Sequence, residues 1–299
     1  MENTILTNTF KITDLPSLLS KTYKAWDAEN PFRLSAVVAY YAILSLPGLL
    51  VIIINVIGSI WGTEIVQGEL TVEISKALGR DVANTVETMI SDTQGGNKNL
   101  ISTIIGIGTL IYGASGVFYH LQLSLNQIWK IESLQLSFWH MLINRVRSFT
   151  FILVLGFLLF ISFILTTSIS ALSSFLNDIF PDAVVYLAYV FDIIFSLALI
   201  SVLFALMFKY LPNAIIKWKS VRVGAIITAI LFVLGKFLIG LYFGRADFDS
   251  TYGAAGTFIL ILLWVSYSCL ILFFGAEFTK VYSEQYGYGI QPTEHSKKI

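Results

Sequence analysis

The chain is poor in charge for its size. Of its 299 residues, 13% are Asp, Glu, Lys or Arg, and 56% are hydrophobic. A soluble domain carries about a quarter charged residues, so this shortage excludes an ordinary water-facing surface. Cysteine is nearly absent. Cys269 stands alone, no disulfide can form within the chain, and the redox compartment is not legible. Histidine is scarce too: His120, His140 and His295 occur in no HxE or HxxxH spacing, which leaves no metal-binding motif. No nucleophile–base pair and no phosphate-cradling loop stands out, and the GxG at 106–108 lies inside an apolar run. The basic residues are not gathered into the aromatic-laced patch that RNA binding needs. The first 35 residues are polar and mixed and lack the apolar core of a signal peptide. The expectation is therefore no catalytic residue, no metal, no cofactor and no nucleic-acid partner.

What the chain has is long apolar runs. Several exceed about 18 residues, enough to cross a hydrocarbon layer about 30 Å thick. They are continuous and do not alternate, which reads as helices and not as barrel strands. Six spans are expected: Ala36–Trp61, Leu100–Trp129, Phe149–Leu172, Val184–Phe208, Val221–Phe243 and Gly253–Lys280. The fold class is all-α, a polytopic six-transmembrane-helix bundle with short amphipathic surface helices. Residues 1–34 form a cytoplasmic tail with an interfacial helix. Residues 35–283 form the membrane domain, including an outer helical segment at 62–100, and residues 284–299 form a cytoplasmic C-terminal tail.

Orientation follows from Lys and Arg, which concentrate on the cytoplasmic side. With both termini inside, fourteen of the nineteen lie in cytoplasmic segments. Outside lie Lys76, Arg80, Lys98 and Arg245 together with ten acids, and Lys236 falls within the fifth span. Residues 14–26, DLPSLLSKTYKAW, place Leu15, Leu18, Leu19, Thr22 and Trp26 on one helical face with Lys21 and Lys24 off it. That pattern fits a short helix lying on the cytoplasmic surface. Residues 134–147 have a similar look. In the outer segment, Leu70, Ile74 and Leu78, then Val82, Val86 and Ile90, recur at four-residue steps around Gly79, which predicts two short helices.

Ionisable residues inside spans are functional-site hypotheses, because each costs at least a few kcal/mol at mid-depth. Asp192 lies roughly 12 Å below the outer end of the fourth span, and Lys236 roughly 10 Å below that of the fifth. Similar depth on antiparallel neighbours lets the two pair. Asn55 in the first span and Thr166 and Thr167 in the third fall in the same outer layer. The pair could be structural, holding helix register, or it could be open to water or a ligand. A second group lies towards the cytoplasm: His120, Gln122 and Asn126 late in the second span, Arg145 and Arg147 before the third, and Glu277 at the end of the sixth. Glu277 reads as a boundary residue with Arg145, Arg147 or Lys280 as partner. His120 reads as a packing histidine before a proton relay. Pro47 and Gly48 should kink the first span.

Several ordered motifs carry a resemblance: AYYAILSLPGLL, YGASGVFYHLQLSLNQIW, KYLPN followed by Trp218, GK at 235–236, YGAAG and FGAEFTKVY. Over roughly residues 20–285 the chain resembles the YihY/BrkB family of bacterial inner-membrane proteins, which have been labelled ribonuclease BN or virulence factor. The resemblance implies a six-span, all-helical, multi-pass protein of the bacterial cytoplasmic membrane, with envelope lipid handling or transport suggested for the family. The absence of a nuclease constellation argues against the ribonuclease label. Two functions remain. One is a transporter or flippase-like protein for a lipid or other anionic amphiphile. The other is a non-transporting scaffold for envelope machinery. Membrane lipids, envelope proteins and further copies of the chain are the candidate partners.

Overall fold

The computed structural model describes residues 10–45, 68, 71, 72, 83, 84, 87, 116–133, 181–243, 254–287, 289–294 and 296–298. Within them, side chains are described except at residues 12, 133, 181–192, 240–243 and 254–258. The described chain is mostly helical. In order it forms α1 (Leu15–Ala28), α2 (Pro31–Ser45), α3 (116–128), strand β1 (Ile131–Ser133), α4 (Pro181–Tyr210), β2 (Ala214–Ile215), α5 (Trp218–Phe243), α6 (Ala254–Tyr286), β3 (Gln291–Pro292) and β4 (Ser296–Lys298). Three helices are long and apolar enough to cross a membrane, through Ile193–Tyr210, Trp218–Ile239 and Ile259–Tyr286. Their apolar residues are not confined to one stripe, and many remain exposed, among them Ile194, Leu234, Phe237 and Leu238. A helix apolar all round suits lipid on one side and protein on the other.

The chain divides into two compact units. One comprises residues 1–29, 122–233 and 272–299, and the other residues 30–121 and 234–271. In the first unit, α1 opens with Pro16 in its first turn, where the missing N–H is no loss. Its apolar face lies as the sequence pattern requires: Leu18 and Thr22 are buried, and Lys21 and Lys24 are exposed. Protein covers that face. Leu18 joins Phe278 and Tyr282 of α6, with Leu15, Leu19, Val223, Ile227, Val281 and Tyr286 packed around them. Burial of one such leucine contributes about 1.5–3 kcal/mol. The Tyr286 hydroxyl donates to Asp14 at 2.7 Å. That bond, with the Lys11 backbone N–H, holds the Asp14 carboxyl below its ordinary range. The tie is present at neutral pH and is lost as pH falls through that lowered value.

The two short strands near the C-terminus were not expected. β4 pairs antiparallel with β1, setting Ile131 against Lys298, and β3 pairs with β2, setting Ala214 against Pro292. The chain reaches them through a glycine cap: Gly287 and Gly289 N–H groups both bond to the Ser283 carbonyl, at 3.0 and 3.1 Å. Gly289 sits at φ +72°, a region that glycine enters without steric cost. Thr293 and Ser296 then close on the Asn213 carbonyl, with the Ser296 hydroxyl at 2.9 Å. Residues 284–299 therefore brace the turn between α4 and α5. Truncation after Gly287 should cost about 1–2 kcal/mol, the worth of a few exposed hydrogen bonds, and should make residues 211–217 more protease-sensitive. An unchanged digestion pattern at that turn would count against the brace.

In the second unit, α2 meets α6 through a Ser35–Ser266 hydroxyl contact at 2.9 Å. Gly235 of α5 abuts the Tyr267 hydroxyl of α6 so closely that a Cβ there would overlap it. The α2 helix is described to Ser45, so the kink expected at Pro47 lies outside the described residues. In the outer segment, Gly68, Thr71 and Val72 before Gly79, and Ala83, Asn84 and Glu87 after it, are helical. The rest of that segment, residues 134–147 and the third span lie outside the described residues.

Candidate functional site

The end of α3 anchors a first set of polar groups. Trp129 is buried and its indole N–H donates to the Ala276 carbonyl of α6 at 3.0 Å. This fixes α3 against the residue that precedes Glu277. Lys280 lies one turn beyond, and its ammonium donates to Glu277 Oε1 at 2.8 Å and to the Ile128 carbonyl at 2.9 Å. The Ile128 carbonyl is free for this because α3 ends there: Lys130 turns to φ +56°. Helix ends leave such carbonyls without intrahelical partners, and a lysine is well suited to one.

Glu277 is fully buried, and its second oxygen, Oε2, has no hydrogen-bond partner among the described residues. The sequence suggested a boundary residue. The structure instead carries α6 nine residues further, to Tyr286, and encloses Glu277 on the way. Of the three proposed partners, Lys280 is the one bonded; Arg145 and Arg147 lie outside the described residues. A second carboxylate, Glu29 at the end of α1, takes Lys130 as ion-pair partner and Gln127 as donor at 3.3 Å. Glu29, Gln127 and Lys130 were not among the residues singled out in the sequence: Glu29 and Lys130 lie outside the expected spans, and Gln127 lies in the last turn of the second.

A second knot forms further up α3. Asn126 is buried and its Oδ1 accepts the Asn213 backbone N–H at 2.9 Å. Gln122 donates to the Asn213 side-chain oxygen at 3.2 Å. Asn213 ends the KYLPN motif, so its two bonded neighbours sit four residues apart on one face of α3. Both residues act as holders of the α4–α5 turn. His120 stacks on Tyr41 at 4.6 Å between ring centroids and meets Tyr119 edge-on.

The outer layer is only partly on view. Asp192 lies in α4 and Lys236 in α5, but the Asp192 side chain lies outside the described atoms. Asn55, Thr166 and Thr167 lie outside the described residues altogether. Lys236 is exposed, and so are Leu234, Phe237 and Leu238 around it. A cation is thus set among exposed apolar side chains of α5.

Long apolar helices with a buried carboxylate and a cation within them define an integral membrane protein. The chain belongs to the Virulence factor BrkB family, whose model matches residues 22–299. It is 24% identical over 273 residues to a UPF0761 membrane protein of Mannheimia succiniciproducens, covering 90% of this chain and 91% of that one. It is 30% identical over 179 residues to a UPF0761 membrane protein of Idiomarina loihiensis, covering 59% of this chain and 60% of that one. A relative from Verminephrobacter eiseniae is 29% identical over 178 residues, covering 59% of this chain and 40% of its own. The chain thus spans three fifths or less of the length of the last two. No solved structure matches it.

Proposed function

We propose that the protein is a multi-pass, six-span protein of the bacterial cytoplasmic membrane, with both termini inside, that binds and moves an anionic amphiphile. The carrying observation is Lys236, exposed among exposed Leu234, Phe237 and Leu238. It lies seven residues before the end of α5, roughly 10 Å along the axis. A lysine stem rarely extends that far to reach water. An ammonium in that position favours an anionic partner, and a lipid supplies one together with apolar chains for the surrounding leucines. The bias of Lys and Arg supports the topology. The reading assigns no catalytic chemistry to the chain.

The test is binding and transbilayer movement of phosphatidylglycerol by the whole protein in vesicles. Lys236→Ala should weaken binding about tenfold, the effect of roughly 1.4 kcal/mol, with folded protein retained, and Lys236→Arg should keep most of it. Unchanged binding by Lys236→Ala would sink the lipid reading. A scaffold role is the alternative, favoured by exposed Tyr23 and Lys24 on the outer face of α1. It predicts that complementation in cells survives Lys236→Ala and is lost when those two residues become alanine.

A further inference from the structure

The start of α5 carries positive charge without a partner among the described residues. Residues 209–222, KYLPNAIIKWKSVR, hold four cations and no acid. Lys209 is used internally: its ammonium donates to the Ile216 carbonyl at 2.6 Å and lies 5.8 Å from the centre of the Trp218 ring. Lys219 and Arg222 are exposed, and neither side chain takes a hydrogen bond or an ion pair among the described residues. Three positions apart, they share one face of α5. Ile226, Ile230 and Val233 continue that face at helical spacing, and all three are exposed. Two cations thus head an apolar stripe that runs roughly 17 Å from Arg222 to Val233. The stripe lies on a helix long and apolar enough to cross a membrane.

The aromatic residues mark the membrane surface independently. Tyr210 and Trp218 are exposed and meet edge-on at 6.2 Å between ring centroids. Such amphipathic rings gather where head groups meet hydrocarbon. Asn213 lies between them in sequence and is held by Asn126 and Gln122, so the two rings sit on a fixed turn.

We propose that this end of α5 is a docking site for an anionic phospholipid. Lys219 and Arg222 take the charged head group, and Ile226, Ile230 and Val233 take an acyl chain. Arginine suits a phosphate because it can offer two parallel N–H groups. Orientation by charge needs only a count of cations on one side, whereas here both unpaired cations share the face of the stripe. An acidic protein would match the cations and leave the stripe unused. A second copy docked through the same face would set like charges together. Lys236 lies fourteen residues beyond Arg222 on α5, roughly 21 Å along the axis, so this site is separate from it and stands whether or not the chain moves lipid.

The test uses the whole protein in lipid nanodiscs with a fluorophore on Ile226→Cys, in a chain carrying Cys269→Ala so that the label has one address. Quenching by brominated phosphatidylglycerol is compared with quenching by brominated phosphatidylcholine. Phosphatidylglycerol should be preferred about thirtyfold at low salt, about fivefold for each of two surface cations. High salt should bring the preference towards one. Lys219→Ala with Arg222→Ala should remove it at any salt, and Lys236→Ala should leave it unchanged. Equal quenching by the two lipids in the parent chain would overturn the proposal. So would quenching by neither, which means that protein covers the stripe. A preference that survives the double substitution, or that is lost with Lys236→Ala, belongs to another site and also overturns it. Should the double variant not fold, the salt series decides: a preference lost at high salt supports the site, and one that persists overturns it.

Discussion

Replacing Lys280 with methionine should destabilise the protein by about 3–5 kcal/mol, the usual cost of stranding one member of a buried ion pair. Glu277 is fully buried and has Lys280 as its bonded cation. The same substitution also frees the Ile128 carbonyl, and a lost bond to a charged donor is worth about 1.5–3 kcal/mol. Methionine preserves the length and most of the apolar stem, so the loss reports charge and hydrogen bonding and not packing. Thermal or SDS-driven unfolding in detergent micelles measures it. The double variant Lys280→Met with Glu277→Gln should recover a large part, because the stranded charge is gone. Equal stability of Lys280→Met and the parent protein would show that Glu277 is not carrying an uncompensated charge.

That pair was only half legible in the sequence. Glu277 and Lys280 stand three residues apart in FGAEFTKVY, so their contact was available from helical spacing. Burial was not, because it depends on which segment lies over α6. Apolar length marks where lipid ends, whereas backbone hydrogen bonding continues as long as something packs on the helix. Leu18 and its neighbours on α1 cover Phe278 and Tyr282, and α6 accordingly runs to Tyr286 and not to Lys280. The span read as Val184–Phe208 likewise gains three residues before it and two after it, as Pro181–Tyr210, and the span read as Val221–Phe243 gains Trp218, Lys219 and Ser220 at its start. The amphipathic face of α1 was fully predictable, since a 3.6-residue period needs no partner to be seen. The four strands were not. SKK and QP have no alternating pattern, and two or three residues cannot show one. Their pairing rests on the Asn213 carbonyl meeting Thr293 and Ser296, a contact 80 and more residues away in sequence.

The crossing of α5 and α6 had a signal that went unread as packing. GAIIT at 224–228 and GAEFT at 275–279 share the same glycine-to-threonine spacing. In the structure each glycine faces the threonine of the other helix, Gly224 against Thr279 and Gly275 against Thr228. Each threonine hydroxyl donates to the carbonyl of the glycine one turn earlier in its own helix, both at 2.7 Å. The hydroxyls are thereby satisfied without reaching across, and the two backbones approach as closely as a missing Cβ allows. A methyl group at either glycine would overlap the facing threonine oxygen. Gly275→Ala should therefore destabilise by about 1–3 kcal/mol through overpacking, although alanine is the better helix former by about 1 kcal/mol. Gly275→Val, with two more carbons in the same gap, should prevent the first unit from folding, seen as aggregation on size exclusion in detergent. Moving the bulk instead of adding it, by Gly275→Ala with Thr228→Gly, should restore much of the stability. The remainder is the cost of a glycine inside α5. If Gly275→Val behaves like the parent protein, the two helices do not cross at these residues. The register that buries Glu277 one turn from Phe273 would then have to be redrawn.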